Sequence, residues 1–323
     1  MKSFKNLFIM LVVIFSMVSC TQGENPKNTS DSASSKPKVA FICKSYADTF
    51  CVWVKNEVEK KAADYANSFT VESFDSKNNS STQIEQIENC IAIGYDVIIF
   101  QQVDAEAPVA AVKKAVEKGI KVIVTTGSIN DDGESVYIDA DPVQQGRALA
   151  EYAVKHLPEN AKIAILQGPA GNFHANGREE GFNEILKTRP DIEVVAEDIA
   201  EWKKDKALNI VQNWLVSLEL DGILAHNDDM ALGAIEAIKM SGIKKDFQVY
   251  GIDATAGGCK AVKDNLLMAT VFQNAVTYAH QSLEYAEKAL KGEKIESVRI
   301  DSELVTPDNV DTYIQIHKDL GNY

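Results

Sequence analysis

The sequence predicts an α/β protein of two similar lobes, each a parallel β-sheet covered by helices. From residue 38 onward, short β-branched runs alternate with amphipathic helical segments, and the second half of the chain repeats this pattern. The runs recur every roughly 25–31 residues, the spacing of βαβ units. With 45% hydrophobic and 25% charged residues over 323 positions, the composition is that of a globular protein with two domains or one large one.

The first residues predict export. Lys2 and Lys5 precede an apolar run at 7–18, and Ser19-Cys20 follows it, which is the order of a secretory signal. The run is shorter than the ~20 residues that a membrane-spanning helix needs. A cysteine directly after a small residue resembles a bacterial lipobox, in which Cys20 carries a diacylglyceryl group and becomes the mature N-terminus. We therefore expect a signal peptide at 1–19 and lipid attachment at Cys20, in preference to simple secretion.

The next segment, at 20–37, is predicted to be a flexible tether. It is polar, rich in Ser and Asn, and without hydrophobic period. The protein should then be anchored by lipid to the bacterial cell envelope, in the periplasm or on the outer face of the membrane, with no other membrane contact.

The β-branched runs define the two predicted sheets. Those of the first half lie at 39–43, 69–74, 96–100, 121–126 and 136–140, and those of the second half at 162–168, 192–198, 221–226, 248–253 and 268–273. Each half should form a Rossmann-like lobe, and Asp141-Pro142, a good helix start, marks the first passage between them. The tail adds a helix at 275–291 and a strand at about 298–304, both too short for a domain of their own.

The carboxyl ends of these strands are the predicted ligand site, because open parallel sheets bind ligands there. The segments after the strands are polar and include two large aromatic residues, Phe50 and Trp202. Two lobes facing each other would bring these segments into one cleft.

Several classes of function are excluded or disfavoured. A net charge of −14 argues against a nucleic-acid partner, because phosphate binding needs clustered cations. The segment after the first strand, 43–47, has no glycine to cradle a pyrophosphate, and neither a Walker motif nor GxSxG occurs. Asp228-Asp229 is better explained as a helix start than as a catalytic pair. We expect no enzyme and no cofactor.

The cysteines give little support for a metal site. Cys43, Cys51, Cys90 and Cys259 show no CxxC or Cys/His spacing. Buried free thiols are the favoured interpretation, and a Cys43–Cys51 disulfide remains open.

Two motifs resemble a known family. The segment 226–234, HNDDMALGA, followed by VYGID at 249–253, is similar to the signature of type I periplasmic sugar-binding proteins, the ribose- and galactose-binding group. The resemblance runs from about residue 38 to 294 and includes the segments 75–79, 163–171 and 291–294.

The resemblance implies the periplasmic-binding-protein-like I fold, with three hinge crossings. It assigns 38–140 plus 274–301 to the N-terminal lobe and 141–273 plus 302–323 to the C-terminal lobe. It also implies a monomer that captures a monosaccharide or sugar-like ligand between its lobes and delivers it to an ABC permease. Repressors that share the two lobes carry an N-terminal helix-turn-helix, whose place is taken here by the signal and tether.

The resemblance further implies a set of ligand-binding residues. Hydroxyls favour charged or amide partners, and the apolar face of a sugar packs on flat rings. Each residue alone also has a structural explanation, such as an ion pair for Arg178 or a helix-start carboxylate for Asp253. The expected ligand contacts are Asp48, Phe50, Thr126, Asn172, His174, Arg178, Trp202, Asn227, Asp253 and Gln273.

Some positions depart from the family, so the ligand stays open. Thr126-Gly127 stands where ribose binders have Asp-Arg and galactose binders Asn; Cys51 replaces an aromatic residue, and the calcium loop of galactose binders is missing at 157–160. We expect ribose and galactose to bind weakly. The remaining alternatives are a polyol or nucleoside ligand, and a sensing role in which the closed form docks on a chemoreceptor or sensor kinase.

Overall fold

Two parallel sheets organise the protein, which is described by a computed structural model at residues 36–243 and 245–322. The signal peptide, Cys20 and most of the predicted tether lie outside these residues. The strands are β1 (Lys38–Cys43), β2 (Thr70–Asp75), β3 (Val97–Phe100), β4 (Lys121–Thr125), β5 (Val136–Asp139), β6 (Lys162–Gln167), β7 (Glu193–Ile199), β8 (Gly222–Ala225), β9 (Gln248–Tyr250), β10 (Thr270–Phe272), β11 (Val298–Arg299) and β12 (Glu303–Val305).

Ten α-helices occur in the described part of the chain. They are α1 (Thr49–Ala62), α2 (Ser80–Ile93), α3 (Val109–Glu117), α4 (Pro142–His156), α5 (Phe173–Leu186), α6 (Lys204–Ser217), α7 (Asp228–Ser241), α8 (Ala256–Lys263), α9 (Ala275–Leu290) and α10 (Val310–Leu320). No helix among these is both long and apolar enough to cross a membrane.

The first lobe is the six-stranded sheet β11-β5-β4-β3-β1-β2 and the helices packed on it, with every strand pair parallel. Helices cover both faces, so the central strands are buried on both sides and read as continuous apolar runs. Phe41 and Ile99 face the core shared with α9, while Ile42 and Ile98 face the core shared with α2.

The second lobe is the parallel sheet β7-β6-β8-β9 with its helices. Isolated bridges join Tyr250 to Ala269 and Asp253 to Phe272, which places β10 beside β9. This lobe is sandwiched in the same way, with Ile163 and Ile165 on one side of β6 and Ala164 and Leu166 on the other.

The chain passes between the lobes three times. It leaves the first sheet after β5, returns after β10 through α9, and leaves again between β11 and β12. The tail differs from expectation here, because the single strand predicted at about 298–304 is two strands in two sheets. Val298 pairs with Ile138 of the first sheet, whereas Leu304 pairs antiparallel with Val271 of the second lobe. The helix α10 was not predicted.

Candidate functional site

The carboxyl ends of strands from both lobes surround one cavity. The cavity is small, with about 30 Å³ of room for the centres of water-sized spheres. Its lining comprises Lys44, Asp48, Phe50, Cys51, Gln102, Thr126, Asn172, His174, Arg178, Trp202, Asn227, Asp253 and Gln273.

All ten side chains expected from the sequence lie in this lining, and their role as ligand contacts stays a prediction. Three further residues, Lys44, Cys51 and Gln102, line the same cavity. Lys44 and Gln102 fall in segments directly after β1 and β3, so position in the sheet could have found them. The side-chain chemistry of these residues alone did not indicate a place in the ligand site.

Three of the polar residues cap the helices that begin at the cavity. Asp48 accepts a hydrogen bond from Cys51 N at 2.9 Å, Asn172 from His174 N at 3.0 Å, and Asn227 from Met230 N at 2.9 Å. A side-chain oxygen at the N-cap satisfies one of the free amides of the first turn. These residues therefore have a structural role in α1, α5 and α7 and still present a second polar atom at the cavity.

Trp202 and Phe50 supply the aromatic surface. Trp202 is 4% exposed, and its ring lies so close to Gly168 that a Cβ there would fall 2.3 Å from the ring. Lys44 Nζ lies 5.1 Å and Arg178 Cζ 5.6 Å from the Trp202 ring centroid. Phe50 instead packs edge-on against Trp53 and Tyr278 of its own lobe, with centroid distances of 6.2 and 6.0 Å.

The buried charges are paired within each lobe. In the first lobe, Lys44 Nζ lies 3.0 Å from Asp48 Oδ2. Burial works against both charges, but the pair holds the pKa of Lys44 above and the pKa of Asp48 below their ordinary values. In the second lobe, Arg178 Nη2 lies 3.5 Å from Asp253 Oδ1, which also accepts a 2.6 Å hydrogen bond from Gln273 Nε2. Burial raises the pKa of Asp253 despite Arg178.

Arg178 is the centre of a hydrogen-bond network. It donates through Nε to Gln145 Oε1 at 3.1 Å and through Nη1 to the carbonyl oxygen of His226. Its Nη2 lies 3.4 Å from Nδ1 of His174, whose Nε2 lies 2.9 Å from Asp139 Oδ1. Burial lowers the pKa of His174, with Asp139 opposing the shift. The neutral ring satisfies both neighbours, with Nδ1 accepting from Arg178 and Nε2 donating to Asp139.

Three polar atoms of the lining have no hydrogen-bond partner among the described residues, although they are buried. They are the donors Gln102 Nε2 and Trp202 Nε1 and the acceptor Gln273 Oε1. Buried polar groups are nearly always hydrogen-bonded, so each unpartnered atom needs an explanation such as a ligand or a water. These three atoms come from both lobes and from residues of one cavity.

Three residues of the lining have a strained backbone. Thr126, Trp202 and Asp253 have φ values of 57°, 65° and 132°, which L-residues rarely adopt. Such conformations cost of order 1–3 kcal/mol each and persist where surrounding structure enforces them, often at binding sites.

Direct contacts join the lobes beside the cavity. Thr49 N and Oγ1 donate to the two carboxylate oxygens of Asp229 at 3.2 and 2.9 Å. Asn172 Nδ2 donates to Val103 O at 3.1 Å. We call the Thr49–Asp229 pair the interlobe latch, because its two residues belong to α1 of the first lobe and α7 of the second.

The fold and cavity define a two-lobed protein with a polar cavity between its lobes. The family described as periplasmic binding protein domain matches residues 39–294, and the chain belongs to this family. The predicted fold class and family resemblance are thereby confirmed. Family membership also makes the chain a solute-binding protein rather than an enzyme, and places it outside the cytoplasm.

Individual relatives agree with this assignment. The chain is 33% identical over 241 residues to the xylitol-binding protein of Mycolicibacterium smegmatis, covering 74% of this chain and 69% of that protein. It is 32% identical over 269 residues to the ribose import binding protein RbsB of Salmonella typhimurium, covering 83% and 90%. A solved ABC transporter solute-binding protein from Bacillus halodurans with bound myo-inositol is 32% identical, with a TM-score of 0.83 over 87% of this chain and 98% of that one.

Proposed function

We propose that the protein is an extracytoplasmic solute-binding lipoprotein that captures a neutral, polyhydroxylated ligand in its interlobe cavity and delivers it to an ABC permease. The observation that carries this proposal is the set of unpartnered buried atoms, Gln102 Nε2, Trp202 Nε1 and Gln273 Oε1, in one aromatic-walled cavity. A compound with several hydroxyls, each both donor and acceptor, would satisfy donors and acceptors together.

The charges of the cavity support a neutral ligand. Lys44 is paired with Asp48, and Arg178 with Asp253, so each buried cation already has a buried carboxylate beside it. An anionic or cationic ligand would have to break one of these pairs or remain unpaired in a buried site, which is strongly unfavourable. Phosphosugars, uronic acids and amino sugars should therefore bind poorly.

Within the neutral compounds, we propose a polyol or another sugar-like compound ahead of ribose or galactose. Thr126 offers one hydroxyl and Gly127 offers backbone alone, so this side of the cavity lacks a charged partner for two neighbouring hydroxyls. The relatives that bind xylitol and myo-inositol make linear and cyclic polyols the first compounds to test.

Delivery and anchoring complete the proposal. The lipid would be carried by Cys20, and segment 20–37 would link it to the lobes. We propose that residues 38–140 plus 274–301 and residues 141–273 plus 302–323 move as units about the three crossings, with ligand bridging the lobes in the closed form.

The test is a thermal-shift and calorimetry panel of xylitol, myo-inositol, ribose, galactose, a nucleoside and an anionic control, gluconate. Ligand at about 100 times its Kd should add roughly 2.7 kcal/mol of stability. We expect a neutral polyol to stabilise the protein most and gluconate not at all. Binding of gluconate alone, or of no neutral compound, would contradict the proposal, and strong stabilisation by ribose or galactose would refute the interpretation of Thr126-Gly127.

A further inference from the structure

Gln102 is a cavity residue whose chemistry the sequence did not reveal. It follows β3, is 2% exposed, and lines the cavity with its side chain. Its Nε2 is one of the buried donors without a hydrogen-bond partner in the described chain. A buried amide nitrogen in a ligand cavity is a donor ready for a ligand acceptor.

The space that this amide occupies exists because residue 127 is glycine. A Cβ at Gly127 would fall 2.4 Å from Gln102 Nε2 and 2.9 Å from its Cγ. Gly127 also has a φ of 151°, which L side chains rarely adopt. Gln102 therefore extends into the place that a side chain at position 127 would fill, on the side of the cavity that lacks a charged group.

The other end of the amide faces the second lobe. Asn172 Nδ2 lies 3.4 Å from Gln102 Oε1 and 3.1 Å from Val103 O, and Asn172 Oδ1 accepts from the amides that begin α5. Since Asn172 Oδ1 is committed to that cap, its Nδ2 must be the group that faces Gln102. This fixes Oε1 of Gln102 toward Asn172 and leaves Nε2 for the cavity.

We infer that Gln102 is a specificity-determining residue, which donates through Nε2 to a ligand hydroxyl and contacts Asn172 through Oε1 when the lobes are closed. The inference rests on the proposed function. Gln102 thus replaces the polar group that Thr126-Gly127 does not supply. It also links recognition of one hydroxyl to an interlobe contact.

The first test compares Gln102→Met with wild type, because methionine keeps the length of the side chain and removes both polar groups. Calorimetry would use xylitol, myo-inositol and ribose. A buried polar group left unpaired weakens binding by about 10- to 100-fold, so we expect a loss of this size for the probe that binds wild type best. Gln144→Met, at an exposed position of α4, is the matched control and should bind as wild type does.

The second test is a double-mutant cycle of Gln102→Ala and Gly127→Ala. If the Gln102 amide occupies the space beside residue 127, Gly127→Ala should weaken binding on its own and add little to Gln102→Ala. The melting temperatures of the variants distinguish destabilisation by backbone strain at residue 127 from a loss of ligand contacts. Rank order among the three probes should also change in Gln102→Met.

The possible results distinguish the role inferred for Gln102 from the proposed function of the protein. Equal affinities and an unchanged rank order for wild type and Gln102→Met would overturn this inference and leave the proposed function intact. A wild type that binds none of these probes and no other neutral compound of the panel would contradict the proposed function and this inference with it. Fully additive effects in the cycle would refute the role of Gly127.

Discussion

The two faces of the cavity are built differently. On the first-lobe face, the buried charges are paired locally, since Lys44 pairs with Asp48 four residues away, and Phe50 packs on rings of its own lobe. On the second-lobe face, Arg178 connects Gln145, His174 and Asp253 into one network. Two of the three strained cavity residues also lie there.

The two faces should therefore respond differently to substitution. Residues that share a network couple, whereas residues without shared partners act additively. We therefore expect substitutions on the second-lobe face to disturb several ligand contacts at once. Substitutions on the first-lobe face should remove one contact each.

The largest effect should come from Asp253→Ala. Removing this carboxylate leaves Arg178 buried without its charged partner and frees Gln273 Nε2. Loss of one partner of a buried charge pair costs about 3–5 kcal/mol, so binding of the panel compound should nearly disappear in calorimetry.

The matched first-lobe variant is Asp48→Ala, which removes one partner of the other buried pair. Its effect should appear in the melting temperature, because Asp48 also caps α1 and an N-cap contributes about 0.5–2 kcal/mol. A larger loss of affinity in Asp48→Ala than in Asp253→Ala would contradict the proposed difference between the two faces.

The two aromatic residues of the cavity should show the same difference between the faces. Trp202→Ala should weaken binding by about 2–4 kcal/mol, the scale of a buried aromatic anchor, and should also lower the melting temperature, because Trp202 is buried in the core. Phe50→Ala should lower the melting temperature with a smaller loss of affinity, because its ring packs edge-on against Trp53 and Tyr278 of its own lobe. Unchanged affinity in Trp202→Ala would remove Trp202 from the site.

A pH titration tests the neutral state of His174. Burial lowers its pKa from the ordinary 6.5, so the folded protein resists protonation there while the unfolded chain takes up a proton, and the folded state loses stability as the pH falls below 6.5. A proton on Nδ1 would face Arg178. We expect His174 to cause no change in stability from pH 7 to 8 and a loss of at most about 1.4 kcal/mol per pH unit below 6.5. His174→Gln, which does not titrate, should flatten the profile in calorimetry, and an unchanged profile would refute the assignment.

The smallest effect is expected at the interlobe latch. Thr49→Val keeps the shape of the side chain and removes the hydroxyl that donates to Asp229. A hydrogen bond to a charged group contributes about 1.5–3 kcal/mol, and Thr49 N still donates to Asp229 in this variant, so affinity should fall about tenfold and small-angle scattering should show a less compact ligand-saturated state. Thr49→Ser keeps the hydroxyl and should behave as wild type. Equal compactness of Thr49→Val and wild type would show that the latch does not hold the lobes together.

The central strands were predictable because burial on both faces leaves continuous apolar runs, and the predicted runs match β1 to β10 to within a few residues. The tail was harder. Residues 298–304 read as one strand, and what divides them is their two partners, Ile138 and Val271, which lie far away in sequence. Such pairing is a tertiary property that local pattern does not carry.

The cavity shows a similar division. The expected residues came from the family resemblance and from the convergence of strand ends in a parallel sheet. Gln102 was not assigned, because its role depends on the missing side chain at Gly127 and on Asn172 in the other lobe. The sequence also did not predict that Asn172 and Asn227 cap helices, since the same side-chain amide caps a helix and lines the cavity.

Because β11 and β12 of the tail belong to different lobes, the distance between the lobes can be measured from labels near the two ends of the described chain. Lys38 begins a strand of the first sheet, whereas α10 is tied to the second lobe by a 2.7 Å contact between Lys263 Nζ and Asp311 Oδ2. Fluorophores attached near residues 38 and 320 would therefore report on different lobes. Neither attachment site is a cavity residue. Energy transfer between the two fluorophores would measure the distance between the lobes without a change to the cavity.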